Sequence, residues 1–437
     1  MPTIRAVPGR RNILRDEFML SENPFRISEI YNIDEPGTYE PLMYGKQYDE
    51  FYEKFFVAPL TKEKNRQMIG AIWSDYSANR LGKGYGKSMI MAEESKRINR
   101  DFGASQLHRI GISAEDIALN PFVSGYCSFK EASEVKSFPA ALLEAVTFIL
   151  RSDHERFTTV HQALRQRISE RIDLEKGCEG ESIREALETE IRKYRSLGVQ
   201  LTHKEVRAFI DHLCSADTAL LISRIGEIGP RIKAAQGFNF VHIFNAFLRL
   251  AGVEYVVYFI DQIENFAKYA RRQDQNIRIL RESICETAPT REMASFIFQM
   301  HIQAQHAIED WWDNIEHLPS LDQKKKINST RIVDLKGLNN KREARLLAEK
   351  YLSDHRISGV RPIAPLHPFS EDIIEQVRRS ESGNPRQFLQ KLGAILDHAE
   401  RDGRVKLDLA YVQPLLEEIP EGIGSEEEDE EYINTER

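Results

Sequence analysis

Three glycines alternate with other residues and lead straight into a lysine and a hydroxyl, in Arg80-Leu81-Gly82-Lys83-Gly84-Tyr85-Gly86-Lys87-Ser88. An apolar run from Met68 to Trp73 precedes them, and Met89-Ile90-Met91-Ala92-Glu93-Glu94 follows. The order reads as strand, loop, helix. Glycines at 82, 84 and 86 let successive backbone N–H groups curl round an anion, and the helix that follows points its positive dipole end at the same place. Taken alone, the loop also fits a glycine-rich turn ahead of a surface helix.

The segment follows the phosphate-binding pattern G-x-x-x-x-G-K-[ST], the P-loop, with one departure. Counting back from Gly86, the first glycine falls at Leu81, and the chain has Gly82 one place later. In that pattern Gly82, Gly84, Tyr85 and Gly86 form the cradle, Lys87 reaches the β/γ-phosphates and the Ser88 hydroxyl sits on Mg²⁺. A second run, Val256-Val257-Tyr258-Phe259-Ile260, has the composition of a strand buried on both faces and ends in Asp261-Gln262-Ile263-Glu264. A carboxylate at the carboxyl end of such a strand is where a P-loop enzyme places the acid that holds its magnesium shell, so Asp261 is the candidate. Glu264 is the candidate base for the attacking water, although a Glu commonly stands directly after the Asp, where this chain has Gln262. An ordinary core strand ending in a capping acid is the alternative for this run.

With these residues in hand, the chain resembles the AAA+ branch of P-loop ATPases over roughly residues 40 to 415. Ala294-Ser295-Phe296-Ile297-Phe298-Gln299-Met300-His301 is similar to the next buried strand, with Gln299 or His301 where the family carries its sensor-1 side chain. Thr330-Arg331-Ile332-Val333-Asp334-Leu335 is similar to the fifth strand, and Leu338 to Ala344 to the opening of the helical lid, with Asn340 as N-cap. Ser382-Gly383-Asn384-Pro385-Arg386 resembles the sensor-2 motif of the origin-recognition and initiator-like group, whose Arg reaches the γ-phosphate; Asn384 capping a helix with Pro385 in its first turn is compatible with the same residues. Tyr44 to Phe51 resembles the adenine-side segment that precedes the first strand in that group. The layout of helix Phe240 to Leu250, Ala251-Gly252 and the Asp261 strand also resembles the ATPases of BREX-type defence systems. The resemblance implies an α/β parallel sheet flanked by helices with a C-terminal helical lid, and ATP and Mg²⁺ as cofactors.

The 437 residues suffice for two or three domains, and 41% hydrophobic with 29% charged residues describes a soluble globular chain. There is no apolar run of membrane-spanning length and the start lacks a signal-peptide core, so a cytoplasmic location without membrane partners is expected. Cys127, Cys178, Cys214 and Cys285 have neither metal-ligand nor disulfide-framework spacing and read as reduced thiols. The formal charge of −8 includes six acids between Ser425 and Glu431, a self-repelling block expected to be disordered. The rest of the chain is nearly neutral, which argues against a uniformly basic, nucleic-acid-coating surface.

Lys87 and Asp261 are separated by far more chain than one strand and one or two helices require. Asn120 to Cys127 accounts for a strand and Ala140 to Leu150 for a helix; the remainder shows helical period in His161 to Arg165, Ile183 to Tyr194 and Lys204 to Leu213. The expected organisation is an N-terminal arm at 1–39, the first part of the ATPase core at 40–151, a helical insertion at 152–237, the second part of the core at 238–337, the lid at 338–418 and the acidic tail at 419–437. The insertion is read either as a carrier of partner specificity or as a thickening of one face of the sheet.

Two functional classes follow from the resemblance. One is an ATP-hydrolysing motor or switch using Lys87, Asp261, Glu264 and Arg386, assembled with itself or with an effector protein, acting in DNA transactions or prokaryotic defence, with DNA as a candidate ligand. An arginine from a neighbouring subunit would complete its site, with Arg272, Arg281 and Arg291 as candidates on this chain. The other is a nucleotide-gated binding module with weak hydrolysis, which the shifted first glycine and Gln262 favour.

Overall fold

Apolar runs with almost no exposed position are the strand signal of this chain, and they assemble into one mostly buried sheet. The computed structural model describes residues 12–26, 38–62, 66–74, 84–119, 121–129, 138–172, 179–193, 204–228, 234–263, 290–300 and 331–418. The strands are β1 (Ile69–Ser74), β2 (Phe122–Ser128), β3 (Tyr255–Asp261), β4 (Ala294–Met300) and β5 (Ile332–Leu335). Their order across the sheet is β2-β3-β4-β1-β5. Pairing of β2 with β3, β3 with β4 and β4 with β1 is parallel. One strand, β4, thus separates the strand that leads to the P-loop from the strand that ends in Asp261. This is the AAA+-like arrangement of a P-loop NTPase core. Every residue of β1 and β3 is buried, as strands covered on both faces by helices must be.

Along the chain the labelled helices are α1 (Ile13–Asp16), α2 (Lys46–Tyr52), α3 (Lys87–Asp101), α4 (Phe138–Arg151), α5 (Val160–Arg171), α6 (Glu179–Lys193), α7 (Lys204–Cys214), α8 (Thr218–Ile228) and α9 (Ala234–Leu250). After the sheet come α10 (Lys341–Asp354), α11 (Glu371–Ser380), α12 (Pro385–Asp402) and α13 (Leu409–Glu418). The chain divides into two compact units. One holds residues 1–48, 82–89 and 335–437, and the other holds 49–81 and 90–334.

In the sheet unit, α4 packs on β2 and α9 packs on α4 and α6. Phe240, Ile243, Phe244, Phe247 and Leu248 of α9 are buried together with Val241 and Ala246, so this helix is covered on more than the one face its spacing indicates. Helices α5 to α8 share a continuous apolar cluster with α4, α9 and the strands. They widen the covering of the sheet rather than closing a core of their own. A neutral histidine ties three of them: His161 Nε2–H donates to Leu213 O at 2.8 Å, and its Nδ1 accepts from Thr218 Oγ1 at 2.9 Å. The outer edge of β2 is sealed from α3, because Asn99 accepts from Ser124 N–H at 2.9 Å and donates to Ser124 O at 2.8 Å. A side-chain amide bonded this way blocks addition of a further strand.

In the other unit, part of the N-terminal arm folds back onto the C-terminal helices. Ser21 N–H donates to His355 O at 2.9 Å, Ile357 N–H to Met19 O at 3.2 Å, and Asn23 Nδ2 to Gly393 O at 2.9 Å. Phe25 stacks on Tyr351 with ring centroids 6.0 Å apart. Nothing in the arm's composition announces this docking, since it depends on backbone groups offered by the turn after α10. Asn340 caps α10, as its sequence context predicts, by accepting from Glu343 N–H. Cys127 and Cys214 are free thiols.

Candidate functional site

The phosphate-loop residues take the backbone shape that their glycines allow. Gly84 and Gly86 have φ of +87° and +76°, with Tyr85 between them outside the left-handed region. Alternation of hand along three residues turns neighbouring N–H groups to one side and makes an anion-binding concavity. The carbonyls are held on the other side: Tyr44 Oη donates to Gly86 O at 3.0 Å, and Arg386 N–H donates to Gly84 O at 3.2 Å. Helix α3 then starts at Lys87, so its first N–H groups and its positive end add to the same place. Lys87 is buried, as is Tyr85, while Ser88 is half-buried.

Neither glycine can be replaced without displacing a neighbour. A Cβ on Gly84 would lie 2.9 Å from Asn384 Oδ1 and 3.0 Å from Arg386 Cβ, and one on Gly86 would run into the Tyr44 hydroxyl. The sensor-2 candidate therefore stands beside the loop. Its placement follows from local structure, because Asn384 caps α12 by accepting from Gln387 N–H and Pro385 occupies the first turn, which puts Arg386 at the helix start. The turn before α12 is pinned by a buried ion pair, Lys391 Nζ to Glu381 Oε1 at 2.9 Å, and by Leu338 N–H donating to Gly383 O at 2.7 Å. The candidate adenine-side segment, Tyr44 to Phe51, starts at the end of a short 3₁₀ turn, Pro41–Tyr44, passes Gly45 with φ of +53° and continues as α2.

The sheet unit carries a second cluster at the carboxyl ends of its strands. Asp261 is buried at the end of β3. Its Oδ2 accepts from Tyr126 Oη at 2.6 Å and its Oδ1 from Gln262 N–H at 2.9 Å. Gln262 has φ of +55°, a left-handed conformation rare for a side chain of this size, so the chain turns sharply directly after Asp261. The same N–H lies 3.3 Å from Gln299 Oε1, so the sensor-1 candidate on β4 meets the segment after the acid. Ser128 Oγ donates to Gln262 Oε1 at 3.1 Å. The side chain directly after Asp261 is thus tied to the neighbouring strand.

Gly82, Glu264, His301, Arg272, Arg281 and the side chain of Arg291 lie outside the described residues. Tyr126, Ser128 and Tyr44 have hydrogen-bonding roles that were not apparent from the motifs. A signal for the first two exists: in Phe122-Val123-Ser124-Gly125-Tyr126-Cys127-Ser128 the hydroxyls recur at every second residue of a strand otherwise apolar, which places them on one face. Among the described residues no group of three or more His, Cys, Asp and Glu side chains is arranged to hold a metal ion by itself. No described helix is long and apolar enough to cross a membrane.

Strand order and the glycine cradle at the start of α3 define an α/β P-loop NTPase fold with an AAA+-like order of strands. Two solved structures of the Aeropyrum pernix ORC2 protein are similar to this chain: one of its ADPNP–ADP complexes, at 12% identity and TM-score 0.40, covering 92% of this chain and 72% of that one, and its ADP form, at 13% identity and TM-score 0.42, covering 92% and 73%. No family model matches the sequence, and no curated protein does.

Proposed function

We propose that the chain binds ATP with Mg²⁺ and uses the nucleotide to switch the arrangement of its lid, hydrolysing it as an AAA+-type motor or switch. The observation that carries this reading is the loop itself. Two left-handed glycines alternate with Tyr85, both flanking carbonyls are tied away, and the loop opens directly into Lys87, Ser88 and a fifteen-residue helix. That combination suits a phosphate chain and has no use in a plain turn.

In this reading the loop N–H groups and the Lys87 ammonium hold the β/γ-phosphates, and Arg386 senses the γ-phosphate from the start of α12. Ser88 and Asp261 would hold the magnesium, and the residues present fit it: a hydroxyl directly after the loop lysine, and a buried carboxylate already oriented by two donors. Magnesium supplies charge neutralisation of the phosphates when bound. Glu264 orients and deprotonates the attacking water. An arginine from a second copy or from a partner protein completes the site, so the chain works in an assembly, with DNA as a candidate ligand and DNA transactions or prokaryotic defence as the setting.

One observation favours the second reading, a nucleotide-gated binding module. The position directly after Asp261 is an amide whose side chain is bonded to Ser128. Turnover separates the two. ATP hydrolysis measured with and without DNA should be saturable in the wild type, and Glu264→Gln should keep nucleotide binding while slowing turnover by roughly 10²-fold or more. Equal turnover in both proteins removes Glu264 from the chemistry and points to another acid, and negligible turnover in the wild type leaves the binding module.

A further inference from the structure

We infer that Tyr126 is a positioning residue that sets the Asp261 carboxylate for the magnesium ion accompanying the nucleotide. The inference rests on the nucleotide site proposed above. Strands β2 and β3 run parallel with Ser128 opposite Asp261 and Tyr126 opposite Phe259. Tyr126 therefore stands two residues behind Asp261 on the same face, within diagonal reach for a long side chain. Its hydroxyl uses that reach, at 2.6 Å from Oδ2, a length typical of a hydroxyl donating to a charged carboxylate. The tyrosine ring is buried and tilted against Phe148 of α4, with centroids 6.3 Å apart, so the hydroxyl is aimed by packing.

The other carboxylate oxygen accepts from Gln262 N–H at 2.9 Å, the backbone donor of the next residue. Two donors, one on β2 and one directly after β3, one on each oxygen, fix the plane of the carboxylate. A half-turn about its last bond would exchange the oxygens but leave each donor's geometry dependent on the same plane, and any intermediate rotation would weaken both bonds. An ionised carboxylate has about four acceptor positions, so these two bonds by themselves leave others on it. Magnesium surrenders its waters reluctantly and is commonly held through them. Its affinity then depends on where the carboxylate oxygens point as well as on their charge. Partners that orient such groups typically change metal affinity by 10- to 100-fold when removed.

A tyrosine needed only to fill space would be replaced by phenylalanine without effect on magnesium. The hydroxyl makes a different prediction. With the full chain and a fluorescent, slowly hydrolysed ATP analogue, Mg²⁺ is titrated into metal-depleted buffer and binding is read by anisotropy. Tyr126→Phe should raise the Mg²⁺ midpoint about tenfold, and affinity for the analogue in EDTA should stay within about twofold of wild type, since Tyr126 touches the acid and not the loop. Asp261→Asn should raise the midpoint at least as far, and adding Tyr126→Phe to it should produce no further shift, the signature of two residues acting as one unit.

If Tyr126→Phe fails to fold by circular dichroism, 3-fluorotyrosine at position 126 keeps the ring and hydroxyl while strengthening the donor, and should still displace the midpoint. An unchanged midpoint in either variant, or additive shifts in the double variant, overturns the inference while leaving the nucleotide site intact. A wild-type protein that binds the analogue equally with and without Mg²⁺ overturns it as well. Failure of the wild type to bind the analogue under any condition instead removes the site reading on which the inference stands.

Discussion

Replacing Gly86 with alanine tests the loop geometry in a way the structure makes quantitative. Gly86 has φ of +76°, a region that costs a residue with a Cβ roughly 1–2 kcal/mol. The new methyl would also run into the Tyr44 hydroxyl, and moving that group away breaks its bond to Gly86 O, worth about 1 kcal/mol. If the loop must keep this shape to hold phosphate, the two effects together weaken ATP affinity by about 2–3 kcal/mol, which is roughly 30- to 150-fold. Tyr44→Phe removes only the hydrogen bond and should cost about fivefold. The double variant should lose less than the product of the single effects, because phenylalanine relieves the clash and leaves only the backbone strain. Fluorescence anisotropy with a labelled ATP analogue measures all four proteins, with circular dichroism confirming that each is folded. Wild-type affinity in a folded Gly86→Ala protein would refute the claim that this backbone shape forms the phosphate cradle.

Other consequences can be read directly. Arg386→Ala should leave ADP affinity nearly unchanged and weaken ATP binding, because a sensor at the start of α12 contacts a phosphate that ADP lacks; equal losses for both nucleotides would make Arg386 part of the local scaffold only. Lys391→Met strands the buried Glu381 carboxylate and should destabilise the unit of C-terminal helices by about 3–5 kcal/mol in urea unfolding, against little change if the pair is superfluous. Burial lowers the pKa of both His161 and His242 from 6.5 to about 4, so both are neutral in the folded chain at neutral pH. Above about pH 6.5 neither the folded nor the unfolded form binds these protons and the two histidines are silent; between about pH 6.5 and 4 only the unfolded chain takes them up, so stability falls, by at most about 3 kcal/mol per histidine. His161→Gln should flatten that part of the stability profile, and an identical profile would show that His161 is not the group responsible.

The sheet was legible because each strand is a short apolar run with an informative end. The predicted runs at 68–73, 256–260 and 294–301 differ from β1, β3 and β4 by no more than a residue or so at each end, since burial on both faces leaves a continuous apolar signal that ends where polar chemistry begins. The caps Asn340 and Asn384 were legible for the same local reason: an amide before an apolar-periodic run has a defined bond to make. What the motifs did not reveal were contacts made across the chain. Tyr44 bonded to Gly86, Tyr126 bonded to Asp261 and the arm bonded to the turn after α10 depend on strand order and loop path, which residue spacing along one segment does not encode. Of the helices of 152–237, α5, α6 and α7 were recognisable by period and α8 was not, and their union with the sheet in one apolar cluster depends on which faces meet. Gln262 is the instructive case: its identity raised the question of hydrolysis, and its left-handed backbone and bond to Ser128 show where the side chain is spent.

The most direct test of the account is calorimetric titration of ATP into the purified chain in the presence of Mg²⁺, for wild type and Lys87→Ala side by side. Lys87 opens α3 immediately after the left-handed Gly86, and in the proposed site it would supply the cation of the cradle. A single saturable site in the wild type, lost in a Lys87→Ala protein that remains folded, is the predicted result. Absence of binding in the wild type, or the same affinity in both proteins, would contradict the assignment of this loop as a nucleotide site.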